Sequence, residues 1–256
     1  MNSKKWFLWV DFKSMRLPYL LYIVYLAALC FLTGPYIMTV EWFMGKSAPK
    51  LDVSIFPYVI IGTAFFAMLC VSAVFKETYR ENSARYISSL RPTMFQALYK
   101  RMTALYLSLA LPLAVYLIYA FYRMDSYFVK YVIENPDFMV MENSELYGYP
   151  IPESAPCFIN IFIQCLIALA SFVLINHAII ALTGDGNVSI LVFISYCTAE
   201  YFGFRYMIPQ WGITTCSVGM NYDISVPIAT YTVTHLVLSA LSAVLIVIFT
   251  KRRLKI

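Results

Sequence analysis

Charge is scarce in this chain. Only 13% of its 256 residues are Asp, Glu, Lys or Arg, while 61% are hydrophobic. Soluble globular proteins carry about a quarter charged residues and are about half apolar. So little charge cannot cover a water-facing surface, which excludes an ordinary soluble enzyme or binding domain. Histidine is scarcer still, with His177 and His235 alone, leaving little for a metal site. No G-x-x-x-x-G-K-[ST] loop is present to cradle nucleotide phosphates, and neither H-E-x-x-H nor G-x-S-x-G occurs. The chain is therefore expected to be no enzyme and to bind no cofactor itself. The net charge of +5 is not gathered into the basic patch that nucleic-acid binders need. The six cysteines contain no C-x-x-C pair. Cys30, Cys70, Cys165 and Cys197 fall in apolar runs and read as small apolar residues. Cys157 and Cys216 both fall at the expected outer side, where a disulfide between them is compatible with the compartment.

What is present is apolar sequence in long runs. A hydrocarbon core of about 30 Å needs roughly 20 apolar residues in helix. Six stretches meet that length: 17–38, 55–75, 102–122, 157–182, 188–208 and 227–250. The expected fold is all-α, a single polytopic membrane domain over 1–256 with six transmembrane helices. The first run is too long for a signal-peptide core, and no small-residue cleavage site follows it, so it is expected to be retained. The fourth and fifth runs are joined by Thr183, Gly184, Asp185, Gly186 and Asn187, a composition that makes a tight turn between antiparallel helices.

Orientation follows from Lys and Arg, which favour the cytoplasmic side. Fourteen of the nineteen basic residues fall in three segments. These are Lys4, Lys5, Lys13 and Arg16; then Lys76, Arg80, Arg85, Arg91, Lys100 and Arg101; then Lys251, Arg252, Arg253 and Lys255. With six spans all three share one side, so both termini are expected in the cytoplasm of a cell-membrane protein. The segment 123–156 carries two basic residues against six acidic ones and is placed outside, as a solvated linker or a partly ordered loop. Residues 1–16 mix Trp6, Phe7, Trp9 and Phe12 with charges, which suits either a helix flat on the inner leaflet or an aromatic anchor for the first span.

The segment 76–101 is the most informative. Ile87, Leu90, Met94 and Leu98 recur at three- and four-residue steps and form one apolar stripe. Pro92 interrupts it, so two short helices are expected to meet near Arg91. Glu81, Arg85, Ile87, Leu90, Pro92, Ala97, Tyr99 and Lys100 together resemble the cytoplasmic segment of ABC transporter permeases of the type-two exporter class. A cytoplasmic amphipathic loop of some other polytopic protein is the plainer alternative. The resemblance implies a coupling helix between spans two and three that docks in a separate ATPase subunit, with Glu81, Arg85, Ile87, Leu90 and Arg91 as its contact residues. It also implies ATP and Mg on that partner, a second permease copy, an interfacial N-terminal helix and an outer re-entrant segment at 209–226. The acidic loop 123–156 is longer than this family leads one to expect.

Ionisable and amide side chains inside spans are costly and often functional. Asn160, Gln164, Glu200, Arg205 and His235 fall at mid-to-outer depths on three helices. They either line a shared polar path for substrate or satisfy one another, with Glu200 pairing with His235 or a Tyr. His177, near the inner end of the fourth span, reads as a packing or interface residue. The expected function is a permease subunit moving an amphipathic substrate such as an antimicrobial peptide, a lipid or a drug-like molecule. The alternatives are an intramembrane enzyme using Glu200 and His235, or a membrane immunity or sensor protein that binds a cationic peptide.

Overall fold

A computed structural model describes residues 3–36, 38–43, 46–51, 56–76, 79, 94–128, 154–202 and 225–254. Six helices carry the fold: α1 (Ser3–Tyr36), α2 (Phe56–Phe75), α3 (Met94–Phe128), α4 (Ser154–Thr183), α5 (Gly186–Phe202) and α6 (Ser225–Leu254). The all-α expectation holds for this bundle. An element not expected from the sequence connects α1 to α2, a hairpin of β1 (Met38–Phe43) and β2 (Lys46–Leu51). Its antiparallel register pairs Met38 with Leu51 and Phe43 with Lys46.

Five helices are long and apolar enough to cross a membrane, through Lys13–Phe31, Tyr58–Phe75, Leu98–Arg123, Phe162–Thr183 and Thr232–Arg253. The chain is thus a multi-pass membrane protein. Residues 188–202 of the fifth expected span form α5, which is described over 17 residues, a rise of about 26 Å. Residues 203–208 of the expected span lie outside the described residues. Residues 3–16 continue into the first span without a break, so α1 is one helix of 34 residues. Residues 94–101, expected as a short helix after Pro92, run on into span three as the first two turns of α3.

Burial ranks the helices. In the spans of α2 and α4, 56% and 61% of residues are buried, against 22% and 17% in α1 and α6. Helices α2 and α4 are therefore the centre, with α1 and α5 on α2, α6 on α4, and α3 against both α1 and α4. The outward faces are apolar too. Leu107, Leu111, Val115, Ile118 and Tyr122 make an exposed stripe down α3. A helix apolar all round has no water-facing side, and lipid is the solvent that accepts it.

The α4–α5 turn is built as its composition implies. Gly184 takes φ +74°, a left-handed conformation that L side chains rarely adopt. Its N–H donates to the Ile180 carbonyl at 2.7 Å. Asp185 then caps α5, accepting from the Asn187 N–H at 2.9 Å. A Cβ on Gly186 would fall on the Ser72 hydroxyl, so glycine lets the start of α5 press against α2.

Candidate functional site at the basic end of the bundle

Three groups of polar side chains join helices that are otherwise apolar. The first lies at the end of the bundle that carries Arg101 and Arg253. Tyr79, just past the end of α2, is buried together with His177 of α4 and Thr250 of α6. The Tyr79 hydroxyl lies 2.7 Å from His177 Nε2 and 3.0 Å from Thr250 Oγ1. His177 Nδ1 lies 2.8 Å from the Met102 sulfur of α3.

Donor and acceptor capacity assigns the protons. A thioether accepts only, so Nδ1 carries the hydrogen and the neutral ring accepts at Nε2. Tyr79 therefore donates to His177, and Thr250 donates to Tyr79. One line of bonds runs from α6 through Tyr79 and α4 to α3. Burial pushes the Tyr79 phenol up to about 12, although the Thr250 hydroxyl, Arg101 and Arg253 pull the other way. Tyr79 accordingly keeps its proton, and its role as donor, at any physiological pH.

Packing holds the line in place. Phe75 stacks on the His177 ring with centroids 3.9 Å apart at 23°. Arg101 sits 5.2 Å over the Phe75 ring, within cation–π range, and donates to the Val74 carbonyl at 2.9 Å. Arg253 donates to the carbonyls of Ala181, Leu182 and Thr183 at 3.0–3.3 Å. Those are end carbonyls of α4 that have no helical partner, and a cation there also meets the negative end of the helix dipole. Arg253 thus ties the last turn of α6 to the α4–α5 turn.

The second group lies deeper and joins α4 to α6. Ser171 donates to the Ala168 carbonyl at 2.8 Å, which leaves its oxygen to accept from His235 Nδ1 at 2.6 Å. About two turns away along α4, the Gln164 amide donates to Thr232. The ring of His235 also meets Phe172 edge-on at 5.9 Å. A third buried pair joins α4 to α5, where Ser189 donates to the Asn176 side-chain oxygen at 2.6 Å.

Of the five polar residues expected along a path, Gln164 and His235 are brought to one interface. Both are buried and bonded across it, so they hold α4 and α6 together. Among the described residues His235 meets Ser171, and the pairing with Glu200 expected from the sequence lies outside them. Asn160 and Glu200 lie within α4 and α5, and their side chains are outside the described residues, as is that of Cys157 in α4. Arg205, Cys216 and the five expected contact residues Glu81, Arg85, Ile87, Leu90 and Arg91 also lie outside them. Cys30, Cys70 and Cys165 carry free thiols.

Sequence reasoning placed His177 as a packing residue and missed Tyr79, Met102 and Thr250 as its partners. It used Arg253 only as a marker of membrane side. The one available signal was polarity, since Tyr79 and His177 both stand beside span ends. Nothing in their spacing links positions 98 residues apart.

No known protein family, curated protein or solved structure matches this chain.

Proposed function

We propose that this chain is the membrane-spanning subunit of an ABC exporter. Two copies, or one copy with a related chain, enclose a path for an amphipathic substrate. A separate cytoplasmic ATPase binds and hydrolyses ATP with Mg and moves the segment that follows α2. The chain does no chemistry of its own, and both termini lie on the cytoplasmic side of a bacterial cell membrane.

The observation that carries this role is the attachment of Tyr79. A motor-driven segment is useful only if its movement reaches the spans. Tyr79 stands at the start of that segment and is bonded to α4 and α6, and through His177 to Met102 of α3. A pull on residues after 79 therefore bears on three helices at once. The bonds are uncharged and few, so they can break and re-form during a cycle at a cost of about 0.5–1.5 kcal/mol each. The resemblance of 81–100 to the coupling segment and the one-sided distribution of basic residues support the same role.

The test is co-expression with an ABC ATPase from the same genome. The ATPase is expected to co-purify, and Arg85→Glu or Leu90→Asp is expected to release it. Tyr79→Phe is expected to keep the ATPase bound while lowering ATP-driven efflux. Failure of the wild-type chain to hold the ATPase would rule the role out.

A further inference from the structure

A groove of about 580 Å³ opens on the membrane-facing side of the bundle, near its basic end. Its floor is α4, at Ala170, Val173 and Leu174. One wall is α3 and the other is α6, from Ala243 to Val247. These walls both pack on α4 but make little contact with each other among the described residues, which is why a gap remains. The volume falls within the roughly 300–1,000 Å³ of small-ligand sites.

The lining decides what part of a ligand can enter. It is aliphatic and aromatic apart from hydroxyls. Thr103 donates to the Tyr99 carbonyl at 3.0 Å, and Tyr106 donates to the Leu166 carbonyl at 3.3 Å. Both donors are used, so the groove offers them to no polar guest, and the inserted portion must be hydrocarbon. Tyr99 is exposed at the mouth.

The rim decides the other end of the ligand. Lys100 follows Tyr99, and Lys251 lies one turn past Val247; both are exposed. Arg101 and Arg253 at the same level are already bonded to carbonyls. Neither 94–101 nor 250–254 contains an acidic residue. Basic clefts between transmembrane helices select anionic head groups.

We propose that this groove is a binding site for an anionic glycerophospholipid of the surrounding leaflet, with one acyl chain between α3 and α6 and its phosphate on Lys100 and Lys251. The site requires only that the chain spans a membrane, and is independent of any ATPase.

Native mass spectrometry of the full chain in detergent, with phosphatidylglycerol or phosphatidylcholine added, tests it. One phosphatidylglycerol is expected to stay bound where phosphatidylcholine is stripped. Lys100→Gln with Lys251→Gln should cut that preference roughly thirtyfold, given the attraction of two lysines for an anionic head group. Ala243→Phe, which fills the groove from one wall, should remove binding of both lipids. Equal retention of the two lipids by the wild-type chain would overturn the proposal, as would undiminished binding in Ala243→Phe. Should Ala243→Phe not fold, the lysine pair decides, and an unchanged preference there would overturn it as well. Efficient disulfide formation between two copies of Val247→Cys would place a second chain in the groove instead of lipid.

Discussion

Tyr79, His177 and Thr250 illustrate how few polar atoms a membrane bundle needs to specify its packing. Each is buried, and each hydroxyl or ring nitrogen in the line has a partner of the right kind, the Tyr79 hydroxyl two. Removing the middle member leaves two buried groups unmatched. Tyr79→Phe is therefore expected to lower stability by about 1–3 kcal/mol, read as a fall in the thermal midpoint in detergent. Ser189→Ala is expected to cost a similar amount, about 1–3 kcal/mol, because it strips the Asn176 oxygen of its donor. Gly184→Ala combines two penalties, since the left-handed backbone disfavours any Cβ and that Cβ would strike the Arg253 guanidinium. It should lower the midpoint more than Ala181→Gly does if strain at the turn outweighs loss of helix propensity, which is about 1 kcal/mol. None of these partnerships was legible beforehand. The sequence marks His177 and Tyr79 as polar groups near span ends, but a polar group at a span end has many available partners, including water and lipid head groups.

Helices were far more legible than contacts, because a span is a local sum of hydropathy over about 20 residues. The expected spans at 55–75, 157–182 and 227–250 match α2, α4 and α6 closely. Boundaries shifted where helix and span are different things. A helix continues wherever its backbone is satisfied, so α3 begins two turns before its apolar stretch and α1 begins at Ser3. The hairpin between α1 and α2 went unseen because strand pairing depends on a partner strand. Joints between elements are testable. Arg253→Ala frees three end carbonyls of α4 and unties α6 from the α4–α5 turn. Its expected signature is faster hydrogen exchange confined to residues near 180–187, with α2 unaffected. Faster exchange spread evenly over the bundle would mean that Arg253 acts on global stability and not as a local tie.

At the scale of the whole molecule, the distribution of basic residues makes a claim about sidedness. A cysteine placed at residue 140 is expected to react with an impermeant maleimide in intact cells. One placed at residue 2 or 256 should react only after the membrane is opened. Reaction of the two ends from opposite sides would require an odd number of crossings, and so would leave α5 outside the count of spans.

Composition alone determined that this chain lives in lipid. Thirteen per cent charge cannot face water, and hydrocarbon leaves a backbone no way to satisfy itself except within helices or closed barrels. Hydropathy windows then located most of the helices, because both burial in lipid and helix length are read along the chain. Which helices are central, which polar groups meet, and where a gap is left between α3 and α6 were decided only by tertiary structure. In an apolar bundle almost every face is equally greasy, so the pattern of hydrophobic residues does not distinguish a lipid-facing side from a helix-facing one. Shape does: close approach at Gly186, stacking of Phe75 on His177, and a hydroxyl at the right depth on α6.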